Sequence, residues 1–225
     1  MAQREVEVVF LIADLAGYTA LTEAHGGGAA AKVVTRFFEL VHRALTPGAR
    51  LLERVGDEAL IVADAAVDAV QTAVRIREAS DVEASFPGVR IGIHGGMVLE
   101  QDGRYFGSAL NVTARVAAHA RTGQLLCTEH IVAALPKEIE VAWRALGPVH
   151  LRNIPQPMPI YEILARARTG ERRDIDPVCR MQVDPETAPA RLRYGANTLS
   201  FCSFDCVKAF VTSPDAYLGA GGRTG

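Results

Sequence analysis

The chain has 225 residues, 49% of them hydrophobic, and a formal net charge of −2. That length holds one large domain, or a medium domain and a small one, with ample apolar material for a core. A charge this close to balance and spread along the chain excludes a nucleic-acid footprint and a polybasic membrane patch. Val6 to Leu15, VEVVFLIADL, reads as a buried strand with an acid near its end. The opening run is too short and too charged for a signal peptide or a membrane span. No other stretch is long and apolar enough to cross a bilayer, so a soluble cytoplasmic protein without membrane or nucleic-acid partners is expected. Thr19 to Leu45 has helical periodicity, split into two helices by the run Gly26–Gly28 and stopped by Pro47-Gly48. LLERVGDEALIVA, Leu51 to Ala63, reads as a hairpin with Gly56-Asp57 at its tip. Ala65 to Ser80 reads as a helix and Val89 to Glu100 as a long alternating strand. After the turn QDGRYFG, Gly107 to Ala120 reads as a third helix. QLLCT is a short strand, Glu129 to Leu135 a short helix, and VAWRAL and PIYEIL are late strands joined by a Pro-containing loop. This order predicts an α+β sandwich: helices on one face of a mostly antiparallel sheet, a ferredoxin-like core with additions.

After Leu164 the composition shifts. ARARTGERRDIDP, Ala165 to Pro177, is charged and lacks apolar periodicity, so it reads as a linker. Asp174 to Leu218 then makes a compact stretch of about 45 residues, a size at which a metal helps a core that is otherwise too small. The tail GAGGRTG is expected to be disordered. Cys127 stands alone in an apolar strand, whereas Cys179, Cys202 and Cys206 crowd into the last fifth of the chain. In a cytoplasmic protein that clustering favours a metal or thiol site over disulfides.

Two acids stand out. Asp14 ends the first strand and Asp57 sits at the hairpin tip. A strand end and an adjacent hairpin tip can lie side by side, and two converging carboxylates suit hard divalent cations. Taken singly, Asp14 also suits a helix N-cap, and Gly56-Asp57 is also ordinary turn chemistry. Asn111 and Arg115, four apart, share one helix face. An amide and a guanidinium there can bond a ribose and a triphosphate together, although a solvated helix face has the same spacing.

Five motifs in order, FLIADLAGYTALTE, ERVGDEALIVA, RIGIHGGMV, GRYFGSALNVTARV and VHLRNIPQPMPIYEI, resemble the class III nucleotidyl cyclases over Val6 to Leu164. The resemblance implies a head-to-tail homodimer with two interfacial sites, each built from the acids of one protomer and the helix residues of the other. It implies attack of the ribose 3′-hydroxyl on the α-phosphate of ATP or GTP, with two Mg²⁺ or Mn²⁺ per site. By position, Asp14 and Asp57 match the metal pair. The main-chain amides of Leu15, Ala16, Gly17, Tyr18 and Thr19 match the phosphate turn, an anion site at a helix start. Asn111 matches the ribose-orienting residue and Arg115 the transition-state arginine, with Arg152 a further phosphate contact.

The base-reading positions depart from the adenylyl pattern. A Lys is usual four residues before the second metal Asp, and an Asp or Thr three residues before the Gly that opens the Asn/Arg helix. Here those positions hold Glu53 and Arg104. Glu53 can accept from guanine N1–H and its amino group, and Arg104 can donate to O6. Alternatively the two pair with each other and fill the base site. A strict adenylyl cyclase fits these positions less well.

The stretch DPVCRM…FCSFDC, with Phe210, Pro214 and Tyr217, resembles a YHS domain, with Arg180 standing where Gly is usual. Three thiolates there can hold Zn²⁺ or Cu⁺, with a fourth ligand from an Asp, water or a partner chain. The same cysteines also suit small buried positions in a mini-core with Phe201 and Phe210. The expected organisation is a cyclase domain at 1–165, a linker at 166–175, a YHS domain at 176–218 and a tail at 219–225. The expected function is a cyclase regulated by metal or redox state at the cysteines. The alternatives are a weakly active or silent nucleotide-binding dimer, and a protein whose C-terminal module acts as metal carrier or sensor.

Overall fold

The computed structural model describes residues 3–164 and 173–218. Most of the expected linker and the whole expected disordered tail, 219–225, lie outside the described residues. Contacts divide the chain into two compact units, and these do not follow the chain in order.

The first unit takes residues 1–15, 37–80 and 89–167. Its elements are β1 (Gln3–Leu15), the end of α1 (Tyr18–Ala44) from Phe37 on, β2 (Ala49–Val55), β3 (Glu58–Ala63), α2 (Ala66–Asp81) and β4 (Val89–Gln101). They continue with β5 (Arg104–Phe106), α3 (Ser108–His119), β6 (Leu125–Thr128), α4 (Glu129–Ala133), β7 (Ala142–Val149) and β8 (Met158–Leu164). The sheet runs β2-β3-β1-β4-β6-β8-β7, with β5 paired to β4. The first four strands pair antiparallel in the order β2-β3-β1-β4, the ferredoxin-like arrangement expected from the element order. The β4–β6 pair is parallel, which α3 permits by supplying the crossover between them.

β1 is buried over its last eight residues, so both of its faces are covered, as its unbroken apolar run implies. By strand alternation Val8, Phe10 and Ile12 share one face. There they pack with Leu60, Val62, Val98 and, from α3, Ala109 and Ala117. α3 lies close on β4 because Gly92 leaves room: a Cβ at that position would sit 2.2 Å from the Ala117 amide nitrogen. Two boundaries differ from the periodicity reading for tertiary reasons. β1 begins at Gln3 because β4 offers a partner as far as Gln101, and Arg4 meets Glu100 at 2.6 Å across the pair. Arg104–Phe106, read as part of a turn, folds back on β4 as β5.

His94 on β4 shares a 2.8 Å hydrogen bond with Thr128 Oγ1. Burial, and then the charge of His130, push its pKa down from the ordinary 6.5 to about 4. The folded value lies below the unfolded one, so His94 contributes stability that is complete above about 6.5 and is lost as pH falls toward 4. Thermal melts across that window are expected to show a fall in Tm that His94→Gln lessens.

The second unit takes residues 16–36, 81–88 and 168–225. Its described part holds α1 as far as Arg36 and the C-terminal elements β9 (Asp174–Ile175), β10 (Gln182–Val183), β11 (Ala190–Tyr194), β12 (Asn197–Phe201), α5 (Phe204–Thr212) and α6 (Pro214–Tyr217). α1 breaks at Gly26, whose φ of 79° and ψ of 162° are open to glycine and costly for other residues. The expected split of this helix is therefore present. Leu21 and Ala30 of α1 pack with Val178, Cys179, Met181, Phe201, Cys206 and Phe210 in one core. Arg36 is held to Glu83 at 2.7 Å, and Phe86 accepts from the Gln182 amide at 3.0 Å. The C-terminal stretch thus completes its small core with residues from far earlier in the chain, the shortage its length implies.

Candidate functional site

Asp14 lies next to last in β1, opposite Glu58 on one side and Arg90 on the other. It is 8% exposed. Asp57 occupies the two-residue turn between β2 and β3. The fold brings these acids together: burial first, then the charge of Asp14 and a hydrogen bond with it, push the Asp57 carboxyl up to about 6. Glu58 is raised by burial and by Asp14 as well. Nε and Nη2 of Arg90 both reach Oδ2 of Asp14 at 2.5 Å, so one cation already faces the acid cluster. Arg90 carried no sequence signal, because it sits 76 residues from Asp14 and only the β1–β4 register joins them.

The turn after Asp14 corrects one expectation. The Ala16 amide donates to the Gly88 carbonyl at 2.8 Å, because pairing past the end of β1 continues for one more residue. It is not available to a phosphate. α1 starts at Tyr18, and its first backbone bond runs from the Leu21 amide to the Gly17 carbonyl at 3.0 Å. Tyr18, Thr19 and Ala20 therefore have no acceptor within the helix, the usual state of a first turn.

Glu53 and Arg104 line one cavity of 530 Å³ together with Leu52, Leu60, Tyr105 and Leu110. Tyr105 meets Phe10 edge-on at 5.5 Å, and its hydroxyl accepts from Arg50. Among the described residues no ion pair joins Glu53 to Arg104, so the closed, self-paired arrangement is not the one adopted. Asn111 and Arg115 stand on α3, Asn111 exposed and Arg115 half-buried, while Val112 and Val116 face the core. Arg152 is exposed in the loop before β8. No hydrogen bond or ion pair among the described residues engages Asn111, Arg115 or Arg152.

The second unit holds a separate cluster. Cys179 Sγ lies 3.4 Å from Cys202 Sγ, which lies 3.7 Å from Cys206 Sγ. The fourth member is His25, whose Nε2 is 3.4 Å from Cys202 Sγ and 3.6 Å from Cys206 Sγ. These four donors could hold a metal ion. Asp176 sets their backbone: Oδ1 accepts from the Val178 and Cys179 amides and Oδ2 from the Cys202 amide. Ser203 caps α5 by accepting from the Cys206 amide at 3.2 Å, which puts Cys206 in the first turn. Hydrogen bonds from Cys179 and then Cys202 hold the Cys206 thiol well below the usual thiol range. Cys127, by contrast, is fully buried in β6, where burial pushes its thiol up to about 12; it is core. His25 carried no sequence signal toward the cysteines.

Residues 1–165 match the family model described as the adenylate and guanylate cyclase catalytic domain, and residues 175–221 match the YHS domain. The chain is 30% identical over 171 residues to a pH-sensitive adenylate cyclase of Mycobacterium tuberculosis, covering 74% of this chain and 43% of that protein. It is 33% identical over 121 residues to an adenylate cyclase of Streptomyces griseus, covering 53% of this chain and 30% of that protein. The chain thus spans less than half the length of these curated relatives. Among solved structures, an adenylate/guanylate cyclase/hydrolase from Silicibacter pomeroyi superposes with a TM-score of 0.64 at 26% identity, over 72% of this chain and 98% of that one. An adenylyl cyclase from P. aeruginosa gives 0.64 at 19% identity, over 75% and 98%, a likeness of fold. With the catalytic-domain model covering 1–165 and the YHS model following it, the chain belongs to the adenylate and guanylate cyclase catalytic domain family and carries a YHS domain behind that domain.

Proposed function

We propose that this chain is a homodimeric nucleotidyl cyclase that prefers GTP, accepts ATP, and is regulated through its C-terminal module. The observation that carries the reading is the Asp14–Asp57 pair. Asp14 is paired across the β1–β3 ladder with Glu58, the residue that follows Asp57, so the two carboxylates sit at one end of the sheet, and burial and then the charge of Asp14 push Asp57 up to about 6. That donor set fits Mg²⁺ or Mn²⁺, which prefer oxygen ligands, and Asp14 and Asp57 would hold them. Bound there, the cations supply Lewis-acid stabilisation of the reacting phosphate. Arg90, bonded through Nε and Nη2 to Oδ2 of Asp14, holds that carboxylate in place.

In the reaction, the 3′-oxygen forms a bond to the α-phosphorus and loses its proton to water. The bond from that phosphorus to the bridging oxygen breaks, and pyrophosphate leaves. The Tyr18 and Thr19 amides, which have no acceptor within the helix, are suited to an anion. Asn111 holds the ribose so that the 3′-oxygen lies in line, and Arg115 meets the charge that builds on the α-phosphate and leaving group. Both act from the second protomer. The lack of partners for Asn111 and Arg115 among the described residues supports this sharing. So do Val55, Met97 and Phe106, large apolar side chains that are 54%, 57% and 52% exposed and gain from being covered.

In the cavity, Glu53 accepts and Arg104 donates. Guanine offers Glu53 two donors, N1–H and the amino group, and offers Arg104 an acceptor at O6. Adenine offers one of each, which is the basis for weaker use of ATP. The names of the curated relatives favour ATP as a second reading. Purified chain given GTP or ATP with Mn²⁺ or Mg²⁺ is expected to form cyclic GMP above the background of Asp57→Ala. No product in any combination contradicts the reading in favour of a silent nucleotide-binding dimer. Glu53→Lys combined with Arg104→Asp is expected to move kcat/KM from GTP toward ATP by about 10²-fold or more, since each misplaced donor leaves a buried polar group unpaired. Unmoved preference means that these side chains do not touch the base.

A further inference from the structure

We propose that His25, Cys179, Cys202 and Cys206 form a Cys₃His site for Zn²⁺, and that its occupancy fastens the first arm of α1 to the C-terminal module. Three of the donors belong to the YHS segment. The fourth comes from the cyclase segment, 177 residues away from Cys202 in the chain.

A tetrahedral zinc with ordinary bond lengths sets its sulfurs about 3.8 Å apart and each sulfur about 3.5 Å from the nitrogen. The sulfur pairs here stand at 3.4 and 3.7 Å, the sulfur–nitrogen pairs at 3.4 and 3.6 Å, and all four donors lie within 4.8 Å of one another. A disulfide would use two of these atoms and leave the other two without a reason to converge. Four donors that close a tetrahedron also favour Zn²⁺ over Cu⁺, because a closed N/S set is the structural zinc pattern.

Asp176 is fully buried, and its two oxygens bond the amides of Cys179 and Cys202 at 3.3 and 2.8 Å. One carboxylate therefore fixes two ligand-bearing loops, as outer partners do around metal centres. Ser203 fixes the third through the Cys206 amide. His25 is the last residue before the break at Gly26, so the imidazole stands at the end of the first arm of α1, whose Leu21 packs in the same core as Cys179 and Cys206.

The consequence follows from connectivity. The arm begins at Tyr18, four residues after Asp14, and Leu21 within it already packs in the module core. Fixing its far end through His25 restrains the turn that leads out of β1. Only this regulatory half rests on the proposed cyclase activity; metal binding does not.

The test uses the full chain, reduced and stripped with a chelator. Competition with a chromophoric chelator is expected to give about one tightly held Zn²⁺ per chain, and Co²⁺ to give thiolate charge-transfer bands with intense tetrahedral d–d bands. His25→Ala is expected to weaken Zn²⁺ by about 10- to 100-fold or more and to alter the d–d bands. His25→Cys is expected to restore affinity with an all-thiolate spectrum, which separates ligation from misfolding. Zn²⁺ is expected to slow amide hydrogen exchange over residues 18–25 in the parent chain and not in His25→Ala. Unchanged affinity and spectrum in His25→Ala, or three thiols that take up no metal and only oxidise, overturn the site. Cyclase output that is identical with and without Zn²⁺ overturns the regulatory half. A chain that binds Zn²⁺ as described but makes no cyclic nucleotide contradicts the proposed function and leaves the metal site standing.

Discussion

Asp57→Asn is expected to lower cyclic nucleotide formation by about 10³-fold, the several kcal/mol that a Lewis acid contributes at a reacting phosphate. The fold is expected to survive, and by a margin. Asp57 sits in a two-residue turn, half-buried, and its carboxylate is opposed by burial and by Asp14. An amide in its place removes that opposition. The metal-free variant is therefore expected to melt no lower than the parent chain at neutral pH. Mg²⁺ or Mn²⁺ is expected to raise the Tm of the parent and to leave the variant unmoved, because ligands stabilise the state that binds them. Thermal shift and product assays on the same preparations check both halves. A variant that loses activity and also melts far lower points to a structural acid instead.

Arg115→Ala is the second large effect. A fixed guanidinium at a phosphoryl transition state is worth about 10³-fold or more in kcat. Arg115 is free of ion pairs among the described residues, and the neighbours on its helix, Val112 and Val116, carry the packing. The loss is therefore expected in kcat, with stability and the Zn²⁺ site unchanged. Arg115→Lys is expected to recover only part of it, since a single ammonium does not reproduce the planar fork that meets two phosphate oxygens. Steady-state kinetics on the three proteins distinguish this from a residue that merely helps substrate bind, whose loss would raise KM alone.

Periodicity carried most of the fold. Strand and helix patterns are local, so β1, β4, α2 and α3 stand within a few residues of where apolar spacing put them, and the triple glycine marked the break in α1. Pairing is not local. Arg104–Phe106 is a strand only because β4 runs beside it, and polar Gln3 to Glu5 join β1 for the same reason. The site divides along that line. Asp14, Asp57, Glu53 and Arg104 could be read because each lies in a motif with its own spacing. Arg90 could not, since its place beside Asp14 is a matter of register. The Ala16 amide is engaged by Gly88 through a bond that no local pattern announces. His25 is the clearest case: a single histidine before three glycines carries no metal-site spacing, and only the packing of Leu21 and Ala30 into the C-terminal core brings it to the thiols.

In the proposed dimer the acids of one protomer work with the α3 residues of the other, and mixing two inactive proteins tests that sharing. With shared sites, Asp57→Ala and Arg115→Ala are each silent alone. Co-refolded or co-expressed, half of their dimers pair one of each, and such a dimer holds one site with intact acids and an intact arginine. The mixture is expected to regain about a quarter of the parent activity, as a twofold dimer with shared sites requires. A mixture that forms mixed dimers and stays silent contradicts the shared site and places Asp14, Asp57, Asn111 and Arg115 in sites built within one protomer.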